Sequence, residues 1–62
     1  MKVKDLLKVL YPHQRIRIVS CMSCLDTDVC FKQADRIRPL INYNIFKISY
    51  GGDVLIIEVD DE

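Results

Sequence analysis

The sequence predicts an α+β fold in which an N-terminal helix packs on a four-stranded, mainly antiparallel sheet, and three observations lead there. Val3, Leu6, Leu7 and Leu10 recur at the spacing of one helix face. Two β-branched and aromatic runs within residues 45–59 flank Gly51-Gly52, the strongest local hairpin signal in the chain. Between these regions residues 15–21 begin by alternating, with Ile16 and Ile18 pointing one way and Arg15, Arg17 and Val19 the other, as in a half-buried strand. At 62 residues we expect one small domain, 1–62, with 60–62 as an acidic tail. That length is near the limit at which a single core offsets chain entropy.

Taken in order, the helix is expected over residues 3–10, with Lys2, Lys4, Asp5 and Lys8 around its outside and Tyr11-Pro12 ending it. It would be unstable alone, so it must lie across an apolar sheet face. The first strand is followed by turn chemistry at Asp26-Thr27-Asp28 and by a short second strand within 29–33 that pairs back on the first. Residues 34–42 hold Ile37, Leu40 and Ile41 and suggest a single helical turn. Asp35 would cap it, and Pro39 is tolerated only in its first turn.

The main hairpin closes the chain. On its first arm Phe46, Ile48 and Tyr50 share one face and Ile45, Lys47 and Ser49 the other; the first reads as core. On its second arm Leu55, Ile57 and Val59 oppose Val54, Ile56 and Glu58, so both faces are largely apolar. Glycine at 51 and 52 supplies the positive φ of a tight two-residue turn. One short helix covers only part of one face, and leftover apolar surface marks an interaction site. Ile45, Val54 and Ile56 are therefore the expected subunit contacts of a homodimer.

Formal charge balances to zero, but its distribution does not. Residues 1–20 carry Lys2, Lys4, Lys8, Arg15 and Arg17 against Asp5, whereas Asp53, Glu58, Asp60, Asp61 and Glu62 stand without a base after them. Glu58, Asp60, Asp61 and Glu62 make an acidic end that would face a partner and imitate nucleic-acid charge. No apolar run approaches the roughly 18 residues of a membrane span, and the charged N-terminal residues interrupt any signal-peptide core, so a cytoplasmic location is expected.

Two chemical constellations merit a structural test. Cys21 and Cys24 form a Cys-x-x-Cys, and with Cys30 and His13 they supply the thiolate and imidazole ligands of a tetrahedral zinc shell. Metal would stabilise a chain this short. The second paired motif and the shaping glycines of zinc knuckles are missing. Arg15, Arg17, Arg36 and Arg38 would make a basic stripe for a small nucleic-acid binder, although the balanced charge argues against it. There is no phosphate-cradling glycine loop, nucleophile elbow or serine–histidine–acid arrangement, so an enzyme is not expected and no cofactor is implied.

The order Val-Lys-Asp-Leu-Leu-Lys-Val-Leu at 3–10, Arg-Ile-Arg-Ile-Val at 15–19, Pro-Leu-Ile at 39–41 and Val-Leu-Ile-Ile-Glu-Val at 54–59 resembles a group of small uncharacterised proteins. These are encoded by phages and mobile elements of Gram-positive bacteria. The resemblance is one of hydrophobic layout over nearly the whole chain, and the three cysteines of 21–30 depart from it. It implies a protein that binds a host protein, inhibitors of host defence such as anti-CRISPR proteins being of this kind. Together these readings predict a non-catalytic protein-binding module acting through a sheet surface or the acidic end. A zinc-stabilised adaptor and a nucleic-acid binder are the alternatives.

Overall fold

A computed structural model describes residues 1–20 and 24–60 of the chain. The elements are α1 (Val3–Leu7), β1 (Arg15–Ser20), β2 (Leu25–Asp26), β3 (Cys30–Phe31), a 3-10 helix (Asp35–Leu40), β4 (Asn44–Gly51) and β5 (Val54–Asp60). The α+β class stands, but among the described residues the sheet has five strands and is mixed. β1 and β5 run parallel at its centre, β4 flanks β5, and both β2 and β3 pair antiparallel with the far side of β1. The parallel pair follows from β5's composition: a strand apolar on both faces belongs in the interior of a sheet, and a hairpin partner protects only one of its edges.

The expected second strand within 29–33 is only the two residues of β3, and Asp26, expected in a turn, lies in a further short strand, β2. β2 pairs with the end of β1 (Val19 with Asp26) and β3 with its start (Ile16 with Cys30), and the register slips by one residue between them. Thr27 spans the slip. Its N–H donates to the Ile18 carbonyl at 3.0 Å, and its hydroxyl accepts the Ile18 N–H at 2.9 Å, where a backbone carbonyl would otherwise serve. The same hydroxyl donates to the Asp28 carbonyl at 3.1 Å, so this buried group is satisfied in both roles. Asp28 takes a left-handed φ of 58°, steadied by its N–H on the Asp26 carboxylate at 2.9 Å.

α1 is shorter than the spacing of its leucines suggests, and Tyr11-Pro12 does not end it. At its start the Asp5 carboxylate accepts the Lys2 N–H at 3.1 Å. After its end the Lys32 ammonium takes the Leu7 and Leu10 carbonyls at 2.9 and 2.7 Å, satisfying groups that a longer helix would have bonded internally. The segment before α1 is tied to the start of β4: Val3 donates to the Tyr43 carbonyl and Ile45 to that of Met1. The helical turn of residues 34–42 winds as a 3-10 helix with Ala34 in the cap position. Asp35 makes no cap, and Pro39 falls in the second turn rather than the first.

The core lies on one side of the sheet. Ile16, Ile18, Leu55, Ile57 and Val59 meet Val3 of α1 and Ile37 and Leu40 of the 3-10 helix, with Leu6, Leu7, Leu10, Ile41 and Ile45 packed around them. The other face carries Arg15, Arg17, Val19, Val54, Ile56 and Glu58, paired across β1 and β5.

The hairpin overturns three expectations. Its turn residues are Gly52 and Asp53, because Gly51 already pairs with Val54, and only Gly52 has a positive φ, 69°. A bulge at Phe46 then reverses the start of β4: Ile45 lies opposite Val59 and Lys47 opposite Glu58. Ile45 is therefore on the core face, not with Val54 and Ile56 on the outer one. Phe46, Ile48 and Tyr50 do not form the core, for a positional reason. β4 is an edge strand that overhangs the two helices, so Ile48 and Tyr50 share a face with Ile57 and Leu55 and yet remain exposed.

Candidate protein interface

The outer edge of β4 is the most distinctive surface among the described residues. β5 holds one side of the strand, and on the other the N-terminal segment reaches only Asn44 and Ile45. From residue 46 to 51 that edge has no strand partner among the described residues. Along it Phe46 is 76% exposed, Ile48 42% and Tyr50 66%. The β-forming run that drives these residues into a strand also leaves their apolar bodies in water, because the bulge turns Phe46 out and the helices stop short of Ile48 and Tyr50. Lys47 is the single charged residue of β4, a common device for discouraging indiscriminate edge pairing.

The outer sheet face has a different character. Val54 and Ile56 are half-buried there, each beside an arginine of β1. Ile56 leans over Gly51: a Cβ at that glycine would stand 3.3 Å from its Cδ1. Arg15 is paired with Asp53 at 3.1 Å, and Arg17 grips both carboxylate oxygens of Asp26, Nε lying 2.9 Å from Oδ1. The hydrogen bonds from Arg17, followed by the N–H of Asp28, hold the Asp26 carboxyl down at about 2, and the same contact with Asp26 raises the Arg17 guanidinium. A third feature is a shallow hollow of about 240 Å³ lined by Pro12, His13, Phe31 and Gln33.

Of the candidate zinc set, His13, Cys24 and Cys30 are not brought together among the described residues. Cys21 lies outside the described residues. His13 is exposed and stacks on Tyr11 with ring centroids 5.7 Å apart. Cys24 is exposed with φ 55°, and Cys30 is half-buried with its thiol 3.9 Å from the Thr27 hydroxyl. Among the described residues no group of three His, Cys, Asp or Glu is placed to hold a metal.

The arginine stripe is likewise dispersed. Arg15 and Arg17 lie on the outer face and are ion-paired, Arg36 donates to the Thr27 carbonyl at 2.8 Å, and Arg38 sits 3.7 Å from Asp35. Of the acidic end, Glu58 is half-buried opposite Lys47, Asp60 is exposed at the end of β5, and Asp61 and Glu62 lie outside the described residues. No described helix is long and apolar enough to cross a membrane.

The β4 edge escaped the sequence reading, which placed Phe46, Ile48 and Tyr50 inside. Lys47 between Phe46 and Ile48 is a charge of the kind edge strands carry, but Arg17 stands in the same way between Ile16 and Ile18 on the central strand β1, so the letters alone do not mark the edge. Comparisons with protein-family models, with curated proteins and with solved structures find no match to this chain.

Proposed function

We propose that the chain is a non-catalytic protein-binding module whose docking element is the free edge of β4. The observation that carries this reading is the alignment of exposed Phe46, Ile48 and Tyr50 along the part of β4, residues 46–51, whose outer side has no strand partner among the described residues. Such an edge offers backbone N–H and C=O groups for affinity and apolar side chains for specificity, which is how strand addition works. An inhibitor of a host defence protein, the role implied by the resemblance to small phage proteins, would act in this way by capping an edge of its target. The dispersal of the four arginines into local pairs gives nucleic-acid binding no comparable support.

Site-specific photo-crosslinking in producing cells tests the reading. A benzophenone amino acid at Phe46 or Tyr50 should give discrete protein adducts, and the same group at Val9, also 76% exposed but after α1, should not. Equal yields at all three positions would sink the proposal.

A further inference from the structure

We propose that the β4 edge pairs antiparallel with the β4 edge of a second copy of this chain, about a two-fold axis through Ser49. The inference rests on reading that edge as the docking element and names its occupant. The register follows from the ladder already present within the chain. A two-residue turn closes on the Gly51–Val54 pair, and hydrogen-bonded pairs alternate along an antiparallel ladder. Gly51, Ser49 and Lys47 therefore direct their backbone groups at β5, and Ile48 and Tyr50 direct theirs at the free edge. Beyond the bulge Ile45 also points outward, its N–H reaching the Met1 carbonyl at 2.8 Å.

With the axis at Ser49, Ile48 lies opposite Tyr50 of the second copy and Tyr50 opposite its Ile48. Both are outward-pointing residues, so each pair exchanges both of its backbone bonds. Neighbouring registers fail. An axis through Lys47 would set that cation against itself, a destabilising cross-strand pair. An axis through Ile48 would run the second copy's Gly51 and Gly52 into the edge at Ile45 and Asn44, which Met1 and Lys2 already occupy. The Ser49 axis avoids both faults. It faces Lys47 with Gly51 of the second copy, which carries no charge, so the lysine meets no like charge across the seam. It also lets the incoming chain turn away at Gly52, which has open space around it and crowds neither Phe46 nor the N-terminal segment.

The exposed bodies of Ile48 and Tyr50 lie on the side of the sheet that carries the core, so pairing continues that apolar surface across the axis. Symmetry makes the interface isologous, the commonest arrangement of homodimers. A seam of this length is small, so the dimer should be weak and its formation concentration-dependent.

Two measurements on the full chain test the pairing. In sedimentation equilibrium from about 10 to about 500 µM, the wild type should shift from monomer to dimer. Ile48→Lys, checked for an unchanged melting transition, should stay monomeric over the same range. In mild oxidation, Ser49→Cys should form a disulfide-linked dimer at least tenfold faster than the wild type or Lys47→Cys. The faster reaction is expected because opposed residues at a non-hydrogen-bonded site have Cα atoms about 4.5 Å apart, within disulfide range. A wild type that remains monomeric throughout, a dimer undiminished in Ile48→Lys, or Ser49→Cys oxidising no faster than the controls would each overturn the self-pairing. Photo-adducts at Phe46 and Tyr50 whose mass exceeds that of two chains, together with a monomeric wild type, would overturn this inference and leave the broader reading standing.

Discussion

Arg17 of β1 reaches diagonally to Asp26 of β2, which lies opposite Val19, and sets its guanidinium fork on both carboxylate oxygens. The pair ties the edge strand to the centre of the sheet on the face away from the core. Its pH dependence has a definite sign. The folded carboxyl is held at about 2, below its ordinary 3.8, so its contribution to stability is complete above that ordinary value and disappears as pH falls toward about 2. Asp26→Asn should lower stability slightly at neutral pH and flatten the acid limb of the stability curve. Urea melts of both proteins at intervals between pH 2 and pH 7 will show whether the difference between them closes at the acid end. Because the pair is largely exposed, the effect should be modest and reduced by salt.

Thr27 combines a backbone and a side-chain bond to the same residue, Ile18, and it is buried. Thr27→Val preserves shape but leaves the Ile18 N–H without an acceptor, at a cost of about 1–3 kcal/mol. Thr27→Ser keeps the hydroxyl and should recover most of that loss. Chemical denaturation of the two variants side by side gives the comparison.

The two glycines of the main hairpin should respond differently to alanine. Gly52→Ala meets no neighbouring atom, so its cost, about 1–2 kcal/mol, comes from the left-handed backbone alone. Gly51→Ala has ordinary backbone geometry but presses on Ile56 at 3.3 Å. The second variant should therefore be rescued by Ile56→Val and the first should not, which thermal melts of the double variants will decide.

Ile57 is fully buried at the centre of the sheet, and Ile57→Ala should cost about 2–5 kcal/mol. For a domain of this size that is much of the available stability, so loss of cooperative unfolding at room temperature is the expected result. Val9→Ala, at a position open to water, should stay within about 0.5 kcal/mol of the parent.

Lys32 holds the end of α1 through the Leu7 and Leu10 carbonyls. Lys32→Met keeps the aliphatic stem and removes the ammonium, and should destabilise by about 1–2 kcal/mol. Amide exchange should then speed up in α1 before it does in β1 or β5.

Much of this fold was legible because it depends on periodicity. Ile16 and Ile18 point inward as their alternation requires, and Leu55, Ile57 and Val59 share one face as their spacing requires, although which of the two apolar faces of that strand is the core was not legible. The helix at Val3 and the turn region around Ile37 and Leu40 are present because their apolar residues have no other place to be buried. What escaped were features set by single-residue irregularities or by distant pairing. One extra residue at Phe46 changes the side on which Ile45 lies, and nothing in the letters Ile-Phe-Lys-Ile distinguishes a bulge from a regular strand. The slip at Thr27 is similar: a threonine between two aspartates reads as an ordinary turn until Ile18 is seen to need its hydroxyl. The candidate site was misread because exposure on an edge strand depends on how far the helices extend over it, a property of the assembled molecule.

The parallel pairing of β1 with β5 joins the first third of the sequence to its last strand. Neighbouring residues alone cannot build the middle of this sheet, because the intervening chain must first close a loop of some forty residues, at an entropic cost that local contacts offset only in part. The β4–β5 hairpin, by contrast, closes over two turn residues and can form within microseconds. Folding should therefore begin at the end of the chain, with the hairpin acting as the surface on which β1 docks. During that interval β5 has one edge unpaired while its apolar faces are bare. Substitutions in the Gly52 turn should slow folding, whereas those at Thr27, on the edge that closes last, should chiefly hasten unfolding.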